Sequence, residues 1–146
     1  MRKAQALVIY LSAISFFMVG ASYALLTTQE TIQGTGSIKG MGFGIYWDQQ
    51  CTAATSSLDW GLLEPGSSTD FTLYLRNEGN SALTLSMASE NWSPANATDY
   101  LTLTWNREGQ QVNPDEVLKF VITLTVSADI QNIDSFSFDI TISGTG

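Results

Sequence analysis

Histidine is absent from this chain, and cysteine, proline and charged residues are scarce. The 146 residues include no His, one Cys and three Pro, and only 14% of them are charged, against about a quarter in typical soluble proteins. Without His, the chain lacks the commonest general base and the commonest transition-metal ligand, so a copper site with His and Cys ligands is excluded. Because Cys51 is the single cysteine, no intramolecular disulfide can form. It remains open whether Cys51 is a small buried side chain, a loop thiol or an intermolecular partner.

Basic residues are few and unevenly placed. Six Lys and Arg stand against 14 Asp and Glu, for a formal net charge of −8. Two of the six, Arg2 and Lys3, precede the first apolar run. The acidic remainder repels nucleic acid and anionic lipid head groups. We therefore expect no nucleic-acid partner.

The first 28 residues have the composition of a membrane-targeting segment. An uncharged run, rich in Leu, Ile, Val, Phe and Ala, extends over residues 4–28. At about 1.5 Å per residue it could span a bilayer as a helix. The preceding basic pair is expected to stay cytoplasmic, which sends the rest of the chain outward. The sequence thus predicts a signal or transmembrane helix over residues 1–28, and a membrane partner if this helix is retained.

Three kinds of processing fit this segment. Residues 22–24 (Ser-Tyr-Ala) place small side chains where a signal peptidase reads, which indicates cleavage after Ala24. The apolar run exceeds the about 7–15 residues of a signal-peptide core, which favours a retained anchor. Residues 3–6 (Lys-Ala-Gln-Ala) resemble the class III signal of archaeal type IV pilin-like proteins. That resemblance implies cleavage after Ala4 and a helix packed in a filament core.

A Thr/Gly-rich segment at residues 29–36 separates the apolar run from the rest of the chain. It has the composition of a spacer. Because Thr is a good strand former, it could equally be a donor strand offered to a neighbouring subunit. The candidate self-assembly residues in and beside this segment are Thr31, Ile32 and Ile38.

From residue 37 onward, apolar residues recur with the period of two that is typical of strands with one buried face. A first strand is predicted within residues 37–48, with glycines on its second face, where a bulged edge strand or a close backbone contact is expected. The apolar positions of the predicted strands are Ile38, Met41, Phe43, Ile45 and Trp47; Leu58 and Trp60; Leu101, Leu103 and Trp105; Phe120, Ile122, Leu124 and Val126; and Phe136, Phe138, Ile140 and Ile142.

Residues 64–87 contain the clearest pattern in the chain. Two alternating runs, 71–76 and 83–87, flank the segment Asn-Glu-Gly-Asn at residues 77–80. Asn and Gly accommodate the positive φ angles of tight turns. The pattern predicts a β-hairpin whose buried face carries Phe71, Leu73, Leu75, Leu83, Leu85 and Met87.

About seven short strands separated by Pro, Gly and Asn turns indicate an all-β fold, a single immunoglobulin-like or jelly-roll-like antiparallel β-sandwich over residues 37–146. Residues 61–87, and more weakly 112–126, resemble the immunoglobulin-like modules of microbial surface proteins. The layout of the chain is similar to small archaeal exported proteins and to the TasA/camelysin group of matrix-fibre subunits. The latter resemblance implies that an N-terminal strand completes the sandwich of a neighbour.

No catalytic or cofactor-binding constellation is present in the sequence. Adjacent Asp115 and Glu116 would point to opposite faces of a strand, so they cannot flank a substrate together. Ser and Cys nucleophiles lack a histidine to activate them. We expect no enzyme and no cofactor. Asp129, Asp134 and Asp139 offer oxygen donors for a hard cation, but solvated charges that protect strand edges explain them equally well, so no metal ligand is assigned.

Two N-glycosylation motifs lie in a predicted loop at residues 90–99. Asn91-Trp92-Ser93 and Asn96-Ala97-Thr98 both match the acceptor pattern, so Asn91 and Asn96 are candidate glycan carriers. Within the same loop we expect Trp92 to be exposed. Trp47, Trp60 and Trp105 lie at the apolar positions of the strand alternation, where we expect them to pack in the core.

These features together predict an exported, non-catalytic structural protein of the cell surface. The leading hypothesis is a self-assembling filament or surface-layer-associated subunit whose partner is another copy of the chain. The alternative is a membrane-anchored extracellular binding or adhesion module that recognises a glycan or a protein through the loops around Cys51 and Trp92.

Overall fold

A computed structural model describes residues 31–40 and 42–146. The predicted N-terminal helix and its cleavage sites lie outside these residues. The described part contains no helix long and apolar enough to cross a membrane. Its elements are β1 (Ile32–Gly40), β2 (Phe43–Tyr46), β3 (Ser57–Leu63), β4 (Ser68–Asn77), β5 (Leu83–Ser93), a 3₁₀ helix (Ala95–Asp99), β6 (Leu101–Trp105), β7 (Gln111–Val112), β8 (Val117–Val126) and β9 (Ser135–Thr145).

The strands form two sheets, which confirms the all-β expectation. One sheet has the order β3-β1-β9-β5-β7 and the other β2-β4-β8-β6. Nine strands are found in the described residues rather than about seven. The purely antiparallel expectation is also wrong at one place, because β1 runs parallel to β9. These two strands lie far apart in sequence, and nothing local in either of them indicates their pairing.

The strand patterns predicted from the sequence place the core correctly over β4, β8 and β9. The side chains at these predicted inward positions that are almost fully buried are Leu73, Leu75, Phe120, Ile122, Leu124, Val126, Phe136, Phe138, Ile140 and Ile142. Both sheets contribute to this one cluster. Full burial of each such side chain contributes about 1.5–3 kcal/mol. The two sheets are therefore held together by a shared apolar core.

The predicted hairpin over residues 64–87 is wrong. β4 and β5 carry the expected alternation, but β4 pairs with β2 and β8, whereas β5 pairs with β7 and β9 in the other sheet. The chain crosses between the sheets at Asn77, which is fully buried. The Asn77 Nδ2 group donates to the Ser81 carbonyl (2.8 Å) and the Val112 carbonyl (3.1 Å). These bonds hold the crossing.

The predicted strand within residues 37–48 is divided into β1 and β2, which belong to different sheets. Gly42 has a φ of +84°, a conformation that glycine adopts without steric cost. The chain changes sheet at this point. In addition, residues 32–36 form the first half of β1. The strand region therefore begins inside the segment that the sequence assigned to a stalk or donor strand.

Candidate functional site

The slot that holds β1 is the candidate site. β1 pairs with β9 in parallel from Gln33 to Gly40 and with β3 antiparallel from Ile32 to Ser37. It lies inside its sheet, although it is the first element of the described chain. The first strand of the described residues thus lies between two others.

The inward face of β1 combines large and very small residues. Ile32 and Ile38 are 3% and 2% exposed. Between them, the ring of Phe136 lies where a Cβ at position 34 would be, so only glycine fits at Gly34 without a shift. The slot therefore accepts an apolar–small–apolar strand and disfavours a bulky side chain at its centre.

The outward face of β1 is polar and is tied to two other strands. The Ser37 Oγ donates to Asp139 Oδ1 on β9, and the Asn91 Nδ2 on β5 donates to Asp139 Oδ2 at 2.7 Å. These two hydrogen bonds, of which the one from Ser37 has the larger effect, hold the pKa of the Asp139 carboxyl below its usual range. Asp139 thus joins three strands on the outer surface.

β1 is the only strand that attaches β3 to its sheet in the described chain. β3 is at the edge of the order β3-β1-β9-β5-β7 and has no second ladder partner there. If β1 left the slot, the facing edges of β3 and β9 would lose their main-chain hydrogen bonds together. Open strand edges of this kind are templates for another strand. With β1 in place, both of these edges are paired.

A cleft of about 270 Å³ opens at the amino-terminal end of β1. Its lining includes Thr31, Ile32, Pro65, Ile133 and Asp134. Thr31 is exposed at this rim. The chain therefore reaches its slot beside a surface cleft.

The structure divides the three predicted self-assembly residues into two groups. Ile32 and Ile38 share the buried face of β1, whereas Thr31 lies just before the strand. Sequence reasoning missed the role of Gly34 and the tie between Ser37 and Asp139. The repeated small residues of the segment Gly-Thr-Gly-Ser at 34–37 were the available signal for a strand under large side chains.

The two glycosylation motifs differ in local structure. Asn91 lies in β5 with a φ of +54°, and its side-chain amide is engaged by Asp139. Asn96 is exposed within the 3₁₀ helix. The hydroxyl of Thr98 donates to the carbonyl of Ala95 at 3.1 Å. The predicted loop at residues 90–99 is thus mostly strand and helix.

The tryptophan predictions are wrong for two of the four residues. Trp92 is half-buried and stacks on Phe138, with ring centroids 4.0 Å apart and planes 4° apart. The pairing of β5 with β9 is irregular between Glu90 and Ser93, and this bulge turns Trp92 towards the core. Trp47 lies beyond the end of β2 and is 42% exposed. Its ring meets Phe71 edge-on at 5.7 Å.

Cys51 is a half-exposed loop thiol. Burial raises the pKa of this thiol; the positive charge of Arg76 opposes this increase, and the carboxylates of Asp48 and Glu78 add to it. Because its pKa is raised, the thiol stays protonated at neutral pH. The thiolate, which is the reactive form of cysteine, is therefore scarce. Its loop is held by Asp48, whose carboxylate accepts hydrogen bonds from the backbone N–H groups of Thr52 and Ala53. The hydrogen bond from the Thr52 hydroxyl lowers the pKa of Asp48 most.

The three aspartates that the sequence offers as cation ligands occupy different places in the structure. Asp129 and Asp134 are in the loop between β8 and β9, whereas Asp139 is on β9 and accepts bonds from Ser37 and Asn91. Among the described residues, no group of three or more His, Cys, Asp or Glu side chains is placed to hold a metal ion.

Neither the protein-family models nor the curated proteins compared with this chain match it. The functional conclusion therefore rests on the geometry of the slot and on the sequence.

Proposed function

We propose that this protein is a non-catalytic structural subunit of the cell surface, and that it assembles with other copies by exchanging β1. We also infer that the two sheets form an immunoglobulin-like sandwich that the N-terminal segment delivers outside the cell. The observation that carries the assembly proposal is the position of β1: the first strand of the described residues lies between β3 and β9 and is the only ladder partner of β3 among those residues.

Strand exchange requires little change in the contacts of the slot. A β1 from a second copy offers Ile32, Gly34 and Ile38 to the same pockets and the same edges of β3 and β9. Only the connection at residues 40–43 must extend, and Gly42 lies within it. Exchange of an identical element between protomers is a low-cost route to association. A head-to-tail series of such exchanges produces a filament when the rotation between successive subunits does not close a ring.

The binding-module alternative has weaker support from the packing. Its main candidate, Trp92, stacks on Phe138 and donates its indole N–H to the hydroxyl of Ser89 at 3.2 Å. An indole held in this way offers little free surface to a glycan ring. The slot, by contrast, offers a complete set of main-chain hydrogen bonds to a strand.

A disulfide trap across the slot tests the assembly proposal. Ser37 lies opposite Ser57, and both side chains are exposed. The neighbouring Ile38 N–H donates to the Ser56 carbonyl at 3.0 Å, so the Ser37–Ser57 pair is a non-hydrogen-bonded one with Cα atoms about 4.5 Å apart. This separation suits a disulfide. The full chain carrying Ser37→Cys, Ser57→Cys and Cys51→Ser is expressed in cells, and its surface material is oxidised.

The proposal predicts a ladder of covalent multimers on a non-reducing denaturing gel, because each bond joins two chains. The Ser37→Cys and Ser57→Cys single variants, in the same Cys51→Ser background, are the controls and should give no ladder. Filaments that yield only monomers with an internal disulfide would contradict strand exchange and favour assembly through the N-terminal segment.

A further inference from the structure

The free edges of the two sheets are protected to different degrees. The edge of β2 is covered by its own loop, since Thr55 N–H donates to the Ile45 carbonyl and Tyr46 forms a bridge with Ala54. The edge of β3 carries Asp59 and a bulge opposite Gly34. Charges and bulges of this kind prevent pairing between sheet edges.

The far edge of the five-stranded sheet is also closed. β7 has only two residues, and the adjoining part of β5 is covered by the turn after β6. Leu85 N–H donates to the Gln110 carbonyl at 2.9 Å, and Gly109 N–H donates to the Leu85 carbonyl at 2.8 Å. Glu108 Oε2 accepts the N–H of Met87. Little of this edge is left for another chain.

β6 has none of these protective features. Its sequence, Leu-Thr-Leu-Thr-Trp, contains no charge and no Pro, and its pairing with β8 is regular. No main-chain hydrogen bond reaches its second edge from any described residue. An uncharged, regular edge strand is a ready template for pairing with another strand.

The alternation of the ladder shows which groups face outward. The N–H of Ser127 donates to the Tyr100 carbonyl at 2.8 Å, so Tyr100 faces β8, as do the backbone groups of Thr102 and Thr104. The N–H and C=O groups of Leu101, Leu103 and Trp105 therefore point to the free edge.

We propose that β6 pairs antiparallel with β6 of a second copy, about a two-fold axis at Leu103. In this register Leu101 lies opposite Trp105, and each outward-facing N–H meets an outward-facing C=O, for about six main-chain hydrogen bonds. Thr102 lies opposite Thr104 on the outer surface, and the apolar side chains keep to the inner one. The result is a continuous eight-stranded sheet across two molecules.

Charges at the two ends of β6 fit the same register. Asp99 is the last residue of the 3₁₀ helix, immediately before Tyr100, and Arg107 lies two residues beyond the end of β6. Both are four residues from Leu103 in the sequence, so the two-fold register brings the Asp99 end of one copy beside the Arg107 end of the other. The Arg107 Nε donates to the Lys119 carbonyl at 2.8 Å, and its terminal nitrogens have no carboxylate partner among the described residues. Two symmetric Asp–Arg pairs would therefore flank the paired strands. Like charges opposite one another would have opposed the pairing.

This contact is separate from the exchange of β1. It joins two subunits through the four-stranded sheet, whereas the slot belongs to the five-stranded sheet. In a filament it would join one strand-exchanged chain of subunits to another side by side. Each contact can fail without the other.

Cysteine pairs at Thr102 and Thr104 test the register. In a Cys51→Ser full chain, Thr102→Cys with Thr104→Cys should form a disulfide-linked dimer on oxidation, because non-hydrogen-bonded pairs place Cα atoms about 4.5 Å apart. Thr102→Cys alone and Thr104→Cys alone should stay uncrosslinked, since like positions on the two copies are offset by two residues. A double variant that does not crosslink, or single variants that crosslink as efficiently, would overturn the proposal.

A charge exchange provides a second readout on the same chain. Asp99→Arg and Arg107→Asp should each reduce the dimer yield of the double-cysteine variant several-fold, by placing like charges opposite one another. The two changes combined should restore it. The matched control Thr72→Lys adds a charge on the same outer surface at the central strand β4 and should leave the yield unchanged. Equal yields in all four variants would contradict the pairing.

Discussion

β1 and β6 have similar alternating patterns and differ in their place in the sheet. In β1, Gln, Thr, Ser and Lys alternate with Ile and Gly, and in β6, Thr alternates with Leu and Trp; neither strand contains an acidic residue or Pro. β1 has a neighbour on each side, whereas β6 has one. Composition alone therefore does not decide whether a strand is central.

The two strands differ in the size of the side chains on their inner faces. β1 has glycine where the ring of Phe136 requires space, so it fits between two strands whose large side chains cover it. β6 places Leu101, Leu103 and Trp105 on its inner face, and they pack against the core directly. On this account β1 fills an internal slot and can be exchanged, whereas β6 offers an edge and can be extended.

The largest expected effect comes from truncating the buried face of β1. Ile38→Ala removes a side chain that is 2% exposed and should lower the free energy of unfolding by about 2–5 kcal/mol. Leu103→Ala, at a half-buried position of β6, should cost about 1–2 kcal/mol.

Urea denaturation measures both losses of stability, provided that the m-values of the two variants equal that of the wild type. A larger loss for Leu103→Ala than for Ile38→Ala would contradict the assignment of β1 to the internal slot.

The smallest expected effect concerns the polar tie across the outer surface of β1. Asp139→Asn removes a carboxylate whose pKa is lowered in the folded chain by Ser37 and Asn91. Because the pKa of this carboxyl is lower in the folded state, the carboxylate stabilises the fold at pH values above the unfolded-state pKa of about 3.9. This contribution to stability is lost as the pH falls through the folded-state pKa. The variant should melt at most a few degrees below the wild type at neutral pH, and the gap should close in acid.

Thermal melts from pH 7 downward measure this gap, with Asp70→Asn on β4 as a control that removes the same charge elsewhere. A gap that persists unchanged below about pH 2 would show that the carboxylate charge is not the cause.

The alternation patterns in the sequence predicted the strands and most of the core, but they did not predict which strands are neighbours. β4 and β5 have the same inside–outside alternation in a hairpin as in a crossing between sheets, because each buries one face either way. At the crossing, the buried Asn77 bonds to Val112, far along the chain. No feature of residues 77–80 alone reveals this partner.

The candidate site was predicted in part. The Thr/Gly segment indicates Thr31, Ile32 and Ile38 as self-assembly residues, and the structure places Ile32 and Ile38 on the buried face of β1; their role in assembly stays a prediction. The parallel pairing of β1 with β9 could not be predicted, because it joins strands about a hundred residues apart and depends on the space beneath Phe136. The exposure of Trp47 and the burial of Trp92 likewise depend on how the ends of β2 and β5 bend.

Reconstitution of the slot from two molecules tests whether β1 can be supplied by a second chain. A chain that begins at residue 41 is mixed with a synthetic peptide of residues 31–40, and native mass spectrometry with circular dichroism follows complex formation and folding. We expect the shortened chain to fold only with the peptide, as a one-to-one complex, and a Gly34→Val peptide, whose added side chain would clash with Phe136, to bind far more weakly. A shortened chain that folds cooperatively alone, or that takes up both peptides equally, would show that the slot does not need β1.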